Sequence, residues 1–301
     1  MIVVNDKPGQ LCNQLWANAP LIARALKYNR KYLNLYFNEN RNYFENLNCY
    51  RNIRFNYFKS PFLDVYLRKI LLKLARTAPG WLLKTLRIYA DKINWKKEPW
   101  EDSALHTKQG IFIMGGGFRR NSRIFLEQYH AEIKNIFQPK KYFTSSITEL
   151  FNTKREHHDV IIGVHIRRGD YKAFLGGVYY FNDKIYLNYL KSLKEQFVNL
   201  GQNPGFLLSS NEELNLEFFS ELDIFQLEQP SAIEDVYALS CCDFIIGPPS
   251  TFSMWSSYIG KVPLRFIKYK NENIQLSDFS RIVEQDVFEN NTILEHVAFD
   301  D

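Results

Sequence analysis

The chain has 301 residues, of which 46% are hydrophobic and 16% aromatic, and it carries a formal net charge of +5 at pH 7. This composition supplies enough core material for one large domain or two ordinary ones, and it excludes an intrinsically disordered protein. The modest positive charge permits an anionic ligand or an acidic membrane surface as partner, and we expect no binding to nucleic acid.

The cysteines and the N-terminal residues bear on the compartment. Cys12, Cys49, Cys241 and Cys242 form no disulfide framework, and the last two lie in an apolar helical context, which favours a reducing compartment. The histidines show no metal-ligand spacing. Residues 1–4 are apolar and carry no charged leader, so we expect neither a signal peptide nor a transmembrane anchor. The predicted location is the cytoplasm, with a peripheral position on the membrane left open.

The first half of the chain begins with the pattern of a Rossmann-type unit. A short strand at residues 2–4 precedes a turn rich in Pro, Gly and Asn, a predicted helix at 13–27 and an aromatic strand at 32–37. A loop that opens a helix can present backbone N–H groups to a phosphate. The alternative is that Gly9 only makes the turn. A further strand at 111–114, the glycine-rich segment 115–120 and a predicted helix at 122–137 complete this half.

Residues 68–97 concentrate positive charge, opposed only by Asp91. Pro79 and Gly80 divide the stretch into two predicted amphipathic helices. Such helices lie on anionic membrane surfaces, although a solvated helical face beside an ordinary core stripe produces the same pattern. The basic residues are Arg68, Lys69, Lys73, Arg76, Lys84, Arg87, Lys92, Lys96 and Lys97.

The second half alternates short apolar strands with helices more regularly, which is typical of a parallel, doubly wound sheet. Strands are predicted at 160–165, 206–210, 224–227, 244–247 and 264–267, with helices at 183–200, 232–241 and 250–259. The polar stretch at residues 138–158 contains the predicted domain division. We assign residues 1–150 to an N-terminal, acceptor-side domain and residues 151–301 to a C-terminal, nucleotide-binding domain.

Polar residues follow several of these strands, where a parallel sheet brings them to one edge. They are His-Ile-Arg-Arg-Gly-Asp-Tyr at 165–171, Ser-Ser-Asn at 209–211 and Pro-Pro-Ser-Thr-Phe-Ser at 248–253. Ligands of open α/β sheets bind at the carboxyl edge of the strands. Adjacent arginines require anionic partners, and a phosphate-bearing ligand is the natural candidate.

Two further features of this edge each allow two interpretations. The hydroxyls and amides of Ser250 and Thr251 are suited to a phosphate, but a helix start needs an N-cap residue in any case. Asp235, in the preceding helix, serves the helix dipole or accepts paired N–H donors from a guanine edge.

The sequence has neither Asp-x-Asp nor a Walker-type motif. Arg167 and backbone amides would then stabilise the charge of a departing nucleoside diphosphate.

These residues resemble the α-1,2-fucosyltransferases, within the broader fucosyltransferase superfamily. Residues 165–171 match the family's His-x-Arg-Arg-Gly-Asp-Tyr signature, and Ser-Thr-Phe-Ser-Met-Trp at 250–255 resembles its Ser-Thr-Phe-Ser-Trp-Trp segment. Further similar segments, in chain order, are Gly-Gln-Leu-Cys-Asn-Gln at 9–14, Gly117 and Phe118 with Phe125, and the helix that contains Asp235. Gln10, Cys12, Met254 and the segment 115–120 depart from the family pattern.

The resemblance implies a GT-B fold, with two Rossmann-like domains facing each other across a cleft, and an inverting transfer from GDP-fucose that needs no metal or other cofactor. It implies that the donor is held by Asn13, His165, Arg167, Asp235, Ser250, Thr251 and Ser253. Arg167 would bind the β-phosphate, and His165 and Asp235 the guanosine. Arg168 is expected to form a structural ion pair, with Asp170 as the candidate partner.

The base that removes the acceptor proton is open at this point. Asp170 is the first candidate, and its alternative role is to orient Arg168. Asp6, Glu101 and Asp102 of the first half are further candidates.

We therefore predict transfer of fucose from GDP-fucose to a glycan hydroxyl, in α-1,2 linkage to galactose, during surface-polysaccharide synthesis. The acceptor is a glycan or a lipid-linked oligosaccharide, and residues 68–97 are a candidate membrane contact. One rival is a glycosyltransferase of the same fold with another sugar nucleotide. Others are a non-catalytic glycan- or nucleotide-binding protein and, from the basic stretch, an RNA-binding protein.

Overall fold

The computed structural model describes residues 1–4, 7–37, 39–58, 60–90, 102–114 and 123–285. The chain divides into two compact units, of which the first is Met1–Gln138 and the second begins at Pro139. Residues 150 and 151, between which the sequence places the domain division, lie inside the helix Lys141–Arg155 of the second unit. Each unit is an α/β structure with its own parallel sheet.

Unit 1 (Met1–Gln138) contains a five-stranded sheet in the order β3-β2-β1-β5-β4, with every pair parallel. Its strands are β1 (Ile2–Val4), β2 (Tyr32–Asn34), β3 (Ile53–Arg54), β4 (Ile88–Ala90) and β5 (Ile111–Met114). Its helices are α1 (Leu11–Lys27), α2 (Pro61–Thr77), α3 (Gly80–Thr85), α4 (Asp102–Thr107), α5 (Arg123–Gln128) and α6 (His130–Ile136). Apolar strand residues form the core, and leucines at helical spacing along α2 pack against it.

Three predictions for unit 1 need correction. The aromatic strand ends at Asn34, because the side-chain oxygen of Asn34 accepts the backbone N–H of Tyr36 at 2.8 Å and turns the chain. The helix predicted over 122–137 is divided into α5 and α6 at Tyr129. The second basic helix is wrong beyond Thr85, since residues 88–90 pair with β5 as the edge strand β4. Residues 91–97 lie outside the described part of the chain.

Unit 2 contains a second five-stranded parallel sheet, in the order β10-β9-β6-β7-β8. Its strands are β6 (Val160–Ile166), β7 (Pro204–Ser210), β8 (Ile224–Phe225), β9 (Phe244–Gly247) and β10 (Leu264–Phe266). Its helices are α7 (Lys141–Arg155), α8 (Asp183–Asn199), α9 (Ala232–Ser240) and α10 (Thr251–Gly260). Every residue of β6 is buried, as expected of a central parallel strand covered on both faces. The alternation predicted for this half is confirmed.

The helices of the described ranges include none with the length and hydropathy needed to cross a lipid bilayer.

Candidate active site

The candidate site lies in unit 2, where the neighbouring strands β9, β6 and β7 end together. His165 of β6 pairs with Ser209 of β7, and the backbone of Gly247 at the end of β9 lies directly against His165. A Cβ atom on Gly247 would come within 2.5 Å of the carbonyl oxygen of His165, so this position has no room for a side chain. The predicted meeting of three polar strand ends at one edge is therefore found.

Arg167 follows β6 and is held by a carboxylate on the next turn. The 3₁₀ turn Gly169–Lys172 brings Asp170 beside it, so that the Arg167 Nε donates to Oδ1 at 3.1 Å and Nη2 donates to Oδ2 at 2.7 Å. The guanidinium also lies 5.3 Å from the ring centre of Tyr171. A two-pronged pair of this kind fixes the orientation of a guanidinium as well as its position.

Arg168 has a structural ion pair, as expected, but the predicted partner is wrong. Its Nε donates to the carbonyl of Phe181 at 3.1 Å and its Nη2 to Asp183 at 2.5 Å, where Asp183 opens α8. The side chain is buried. Arg168 therefore ties the loop to α8, whereas Asp170 pairs with Arg167.

The loop backbone is clamped by residues that the sequence did not single out for this purpose. Asn211 accepts the backbone N–H of Arg168 at 2.9 Å, and Glu212 accepts that of Gly169 at 3.0 Å. The hydroxyl of Tyr171 donates to the carbonyl of Pro249, which links this loop to the turn before α10. Burial raises the pKa of Tyr171 to about 12, so the hydroxyl keeps the proton that it donates. The only sequence signal was the polar Ser-Ser-Asn run at the end of β7.

His165 contributes a neutral ring at the end of β6. Burial, together with the positive charge of Arg167, lowers the pKa of His165 to about 3. The imidazole stacks on Phe252 at 5.0 Å between ring centres, with 23° between the planes. His165 thus packs the loop at residues 167–172, called the arginine loop below, against the start of α10. It adds no charge near neutral pH.

The start of α10 confirms one of the two interpretations of its hydroxyl residues. Ser250 is the N-cap, and its Oγ accepts the backbone N–H of Phe252 at 3.2 Å. Ser253 donates from its Oγ to the carbonyl of Ser250 at 3.1 Å. Both residues and Thr251 are buried. The N-cap role does not exclude an anion beside the amides of the first turn, because a helix start favours negative charge.

Asp235 does not cap α9. A reciprocal capping box formed by Ser231 and Glu234 performs that function. Asp235 is partly buried and hydrogen-bonded to Ser209, a residue of β7 beside His165. Burial raises the pKa of Asp235 to about 7, against the opposing effect of the Ser209 hydrogen bond. The carboxyl group therefore reaches the same strand ends as Arg167.

Asn13 lies in unit 1, close to the start of α1. Gly9 adopts a positive φ of 37°, and a Cβ there would lie 2.5 Å from the Asn13 Nδ2, so Gly9 makes the turn and leaves room for Asn13. Gln14 fastens this turn, because its Nε2 donates to the carbonyl of Gly9 at 2.9 Å. Sequence reasoning did not assign that function to Gln14. The role of Asn13 toward a donor stays a prediction.

The candidates of the first half are less fully described. Asp6, Glu101 and the segment 115–120 lie outside the described residues. Asp102 opens α4, and its side chain is not among those described.

Each unit thus has a Rossmann-like parallel sheet, and the second presents an arginine and a helix start at its carboxyl edge, where ligands of such sheets bind. The model of the family described as glycosyl transferase family 11 matches residues 9–294. The chain belongs to this family, and the family resemblance predicted from the motifs is confirmed.

Solved structures of fucosyltransferases share the fold. Arabidopsis thaliana FUT1, as a point mutant in complex with GDP, gives a TM-score of 0.60 at 13% identity over 93% of this chain and 73% of that chain. NodZ from Bradyrhizobium gives a TM-score of 0.52 at 15% identity, over 92% of this chain and 96% of that chain. The α-1,6-fucosyltransferase NodZ soaked with GDP-fucose gives a TM-score of 0.50 at 16% identity, over 92% of this chain and 96% of that chain. The predicted GT-B fold is confirmed. No curated protein matches the chain.

Proposed function

We propose that this protein transfers fucose from GDP-fucose to a hydroxyl group of a glycan. The observation that carries the proposal is the convergence of Arg167, the start of α10 and Asp235 on adjacent strand ends of unit 2. Together they offer a fixed positive charge, backbone amides and a carboxylate to one nucleotide. Membership of glycosyl transferase family 11 supports a sugar nucleotide as that ligand. The solved relatives described with GDP and GDP-fucose support this choice of donor.

Arg167 is proposed to stabilise the departing GDP without a metal ion. Guanidinium stays charged at every working pH and binds two oxygens at once. Negative charge grows on the leaving diphosphate as the sugar departs, and a charge held in place beforehand stabilises it without reorganisation. Asp170 supplies that positioning through its two hydrogen bonds to Arg167. Ser250, Thr251 and Ser253 would bring the first-turn amides of α10 to the same diphosphate.

Asp235 is proposed to select guanine. The guanine edge presents N1–H and the 2-amino group side by side, and an ionised carboxylate can accept from both. With its pKa raised to about 7, Asp235 is half ionised at neutral pH before the donor binds. Acceptance of two N–H bonds would favour the ionised form and release a proton. His165, neutral and buried beside Arg167, is assigned to the nucleoside end of the site as a packing residue.

The acceptor hydroxyl must lose its proton as the anomeric carbon develops positive charge. Asp170 remains a candidate for that step, but both of its oxygens already accept hydrogen bonds from Arg167. Proton removal by Asp170 would break part of this pair. The geometry therefore favours a positioning role for Asp170, and we propose inversion at the anomeric carbon without assigning its base. Asn13 is proposed to approach the donor from unit 1.

The motif resemblance further supports α-1,2 linkage to galactose in a glycan or lipid-linked oligosaccharide of a surface polysaccharide. A panel of GDP-fucose, GDP-mannose, UDP-galactose and UDP-N-acetylglucosamine, each with free lactose, tests donor and acceptor together. We expect transfer only from GDP-fucose and an α-1,2 product by NMR. Transfer from another donor would favour the rival glycosyltransferase. Binding of GDP-fucose without transfer to any of several acceptors, and without hydrolysis, would favour a non-catalytic protein.

A further inference from the structure

Helix α2 of unit 1 carries apolar residues on two different faces. Leucines at i, i+4 and i+7 on its inner face (Leu67, Leu71 and Leu74) pack against the core of the sheet. Phe62, Tyr66 and Ile70, at i, i+4 and i+8, form a second stripe on the outer face. These three side chains, called the outer stripe below, are 76%, 60% and 48% exposed. A helix needs only its inner stripe to join the fold, so the packing of α2 on the sheet does not require the outer stripe.

Further exposed apolar residues lie in the segments of the chain that flank α2. Tyr57, just before α2, is 65% exposed, and Trp81 of α3 is 69% exposed. Single exposed apolar residues are ordinary, but a regular row with aromatic neighbours in the same segment marks an interaction site. Tyrosine and tryptophan are the side chains typical of the boundary between water and lipid.

The same face is positively charged. Lys69 and Lys73 are exposed and lie beside the outer stripe, each three residues after one of its members (Tyr66 and Ile70). Residues 61–90 contain six Lys or Arg and a single acid, Asp64. Asp64 is fully buried, and its Oδ1 accepts the backbone N–H groups of Tyr57 at 2.9 Å and Phe58 at 2.8 Å. The one negative charge of this segment therefore points away from the outer face.

Not every basic residue of the segment belongs to this surface. The guanidinium of Arg68 lies 4.3 Å from the ring centre of Tyr36, within unit 1. Lys69 and Lys73 have no ion-pair partner in the part of the chain that the structure describes. The lysines are thus the residues whose charge is presented outward, and Arg68 contributes to the packing of unit 1.

We propose that the outer face of α2, with Trp81 of α3, is a docking surface for an anionic lipid bilayer. The outer stripe would enter the headgroup boundary, while Lys69 and Lys73 extend their charged ends to lipid phosphates. Contact with a second copy of this face would bring like charges together, so charge complementarity favours the bilayer over self-association. This inference goes beyond the proposed function, and its test requires neither donor nor acceptor.

The test is flotation of the full chain with vesicles of phosphatidylglycerol and phosphatidylcholine in equal parts, against vesicles of phosphatidylcholine alone. We expect binding only to the anionic vesicles, weakened by added salt. Lys69→Ala with Lys73→Ala should lower the partition coefficient about fivefold for each lysine removed. Phe62→Ser with Tyr66→Ser and Ile70→Ser should lower it by about a hundredfold in total.

Matched controls come from unit 2. Lys184→Ala with Lys270→Ala removes two exposed lysines, and Tyr142→Ser with Leu200→Ser removes exposed apolar side chains. Both should bind as the parent protein does. Circular dichroism checks folding, and the lysine variant with the salt titration carries the test if the serine variant does not fold.

Three outcomes would overturn the proposal. They are no binding of the parent protein to anionic vesicles, equal loss of binding in the controls, or concentration-dependent dimers that the outer-stripe variant abolishes without any vesicle binding. The last outcome would assign the face to a second copy of the chain.

Discussion

The arginine loop of unit 2 and the outer face of α2 in unit 1 are both basic, but their charges are organised differently. Arg167 and Arg168 are each held by a carboxylate, and Asn211 and Glu212 fix the backbone of Arg168 and Gly169. Lys69 and Lys73 extend from an exposed helix beside apolar side chains. A charge fixed in one orientation can recognise a small ligand of defined shape. Exposed charges on an apolar face suit a fluid surface.

The largest expected effect is that of Arg167→Ala. Removal of the positioned counter-charge should lower kcat/KM for GDP-fucose and lactose by about a hundredfold to a thousandfold. The matched control is Arg155→Ala, because Arg155 forms a similar two-pronged pair with Asp243 at the opposite end of the same sheet. Steady-state kinetics should show the loss only for Arg167. Equal losses in both variants would mean that Arg167 acts through stability alone.

Asp235→Asn should abolish a pH dependence. The carboxylate is lost as pH falls through the pKa of about 7, so KM of the parent protein for GDP-fucose should rise about tenfold per pH unit below 7. Neither phosphate of GDP-fucose titrates in this range, since the terminal one is esterified. The variant should have a high KM that does not change between pH 5.5 and 8. This KM should be about the one that the parent protein reaches at the low end of the range. A parent KM independent of pH would refute recognition of guanine by the ionised carboxylate.

The same raised pKa has a consequence for stability in the absence of nucleotide. Between pH 3.8 and about 7, folded Asp235 retains a proton that the unfolded chain has lost. Its contribution to the free energy of unfolding therefore decreases as pH rises through this window. Thermal unfolding should show that Asp235→Asn removes part of this decrease.

Asp170→Asn has an intermediate expected effect and separates positioning from base catalysis. If Asp170 orients Arg167, kcat/KM for GDP-fucose should fall about tenfold, because the charge that stabilises the leaving diphosphate is no longer held in position. A fall in kcat of about a thousandfold, with loss of the acidic limb of the pH profile, would instead identify Asp170 as the base. Glu212→Gln, which alters a loop clamp without touching the arginine pair, serves as the control.

The smallest expected effect belongs to α2. Lys69→Ala with Lys73→Ala should change the rate of transfer to free lactose by less than about twofold, since exposed charges that bind neither donor nor acceptor contribute little. Arg68 should be left intact in this test because it packs against Tyr36. A collapse of transfer to the soluble acceptor would place this face in the active site and remove the contrast between the two regions.

The sequence predicted the second sheet better than the first, for physical reasons. Strands such as β6 are buried on both faces and are therefore continuous apolar runs flanked by polar turns. This pattern predicts a parallel strand directly from the sequence. Residues 88–90 follow a basic helical pattern, yet pairing with β5 makes them a strand, because tertiary contacts override local propensity. The break at Tyr129 between α5 and α6 could not be predicted, because no glycine or proline lies there.

The candidate site shows the same division. The motifs and their positions after predicted strands placed Arg167 and Ser250 at the carboxyl edge of the second sheet, where the structure has them. Partner choice was not accessible, because sequence proximity made Asp170 a natural partner for Arg168 as well as for Arg167. The 3₁₀ turn that begins at Gly169 brings Asp170 to Arg167. Arg168 pairs instead with Asp183, which lies 15 residues further along the chain. The raised pKa of Asp235 depends on burial, which a helix pattern alone does not reveal.

The hydrogen bond from Tyr171 to the carbonyl of Pro249 has a consequence for protein engineering. The arginine loop and the turn before α10 are distant in sequence, but each completes the other. An exchange of either segment with that of a relative would leave a buried hydroxyl or carbonyl without its partner, at a cost of about 1–3 kcal/mol. Residues 165–172 and 247–253 should therefore be exchanged together, as one cassette.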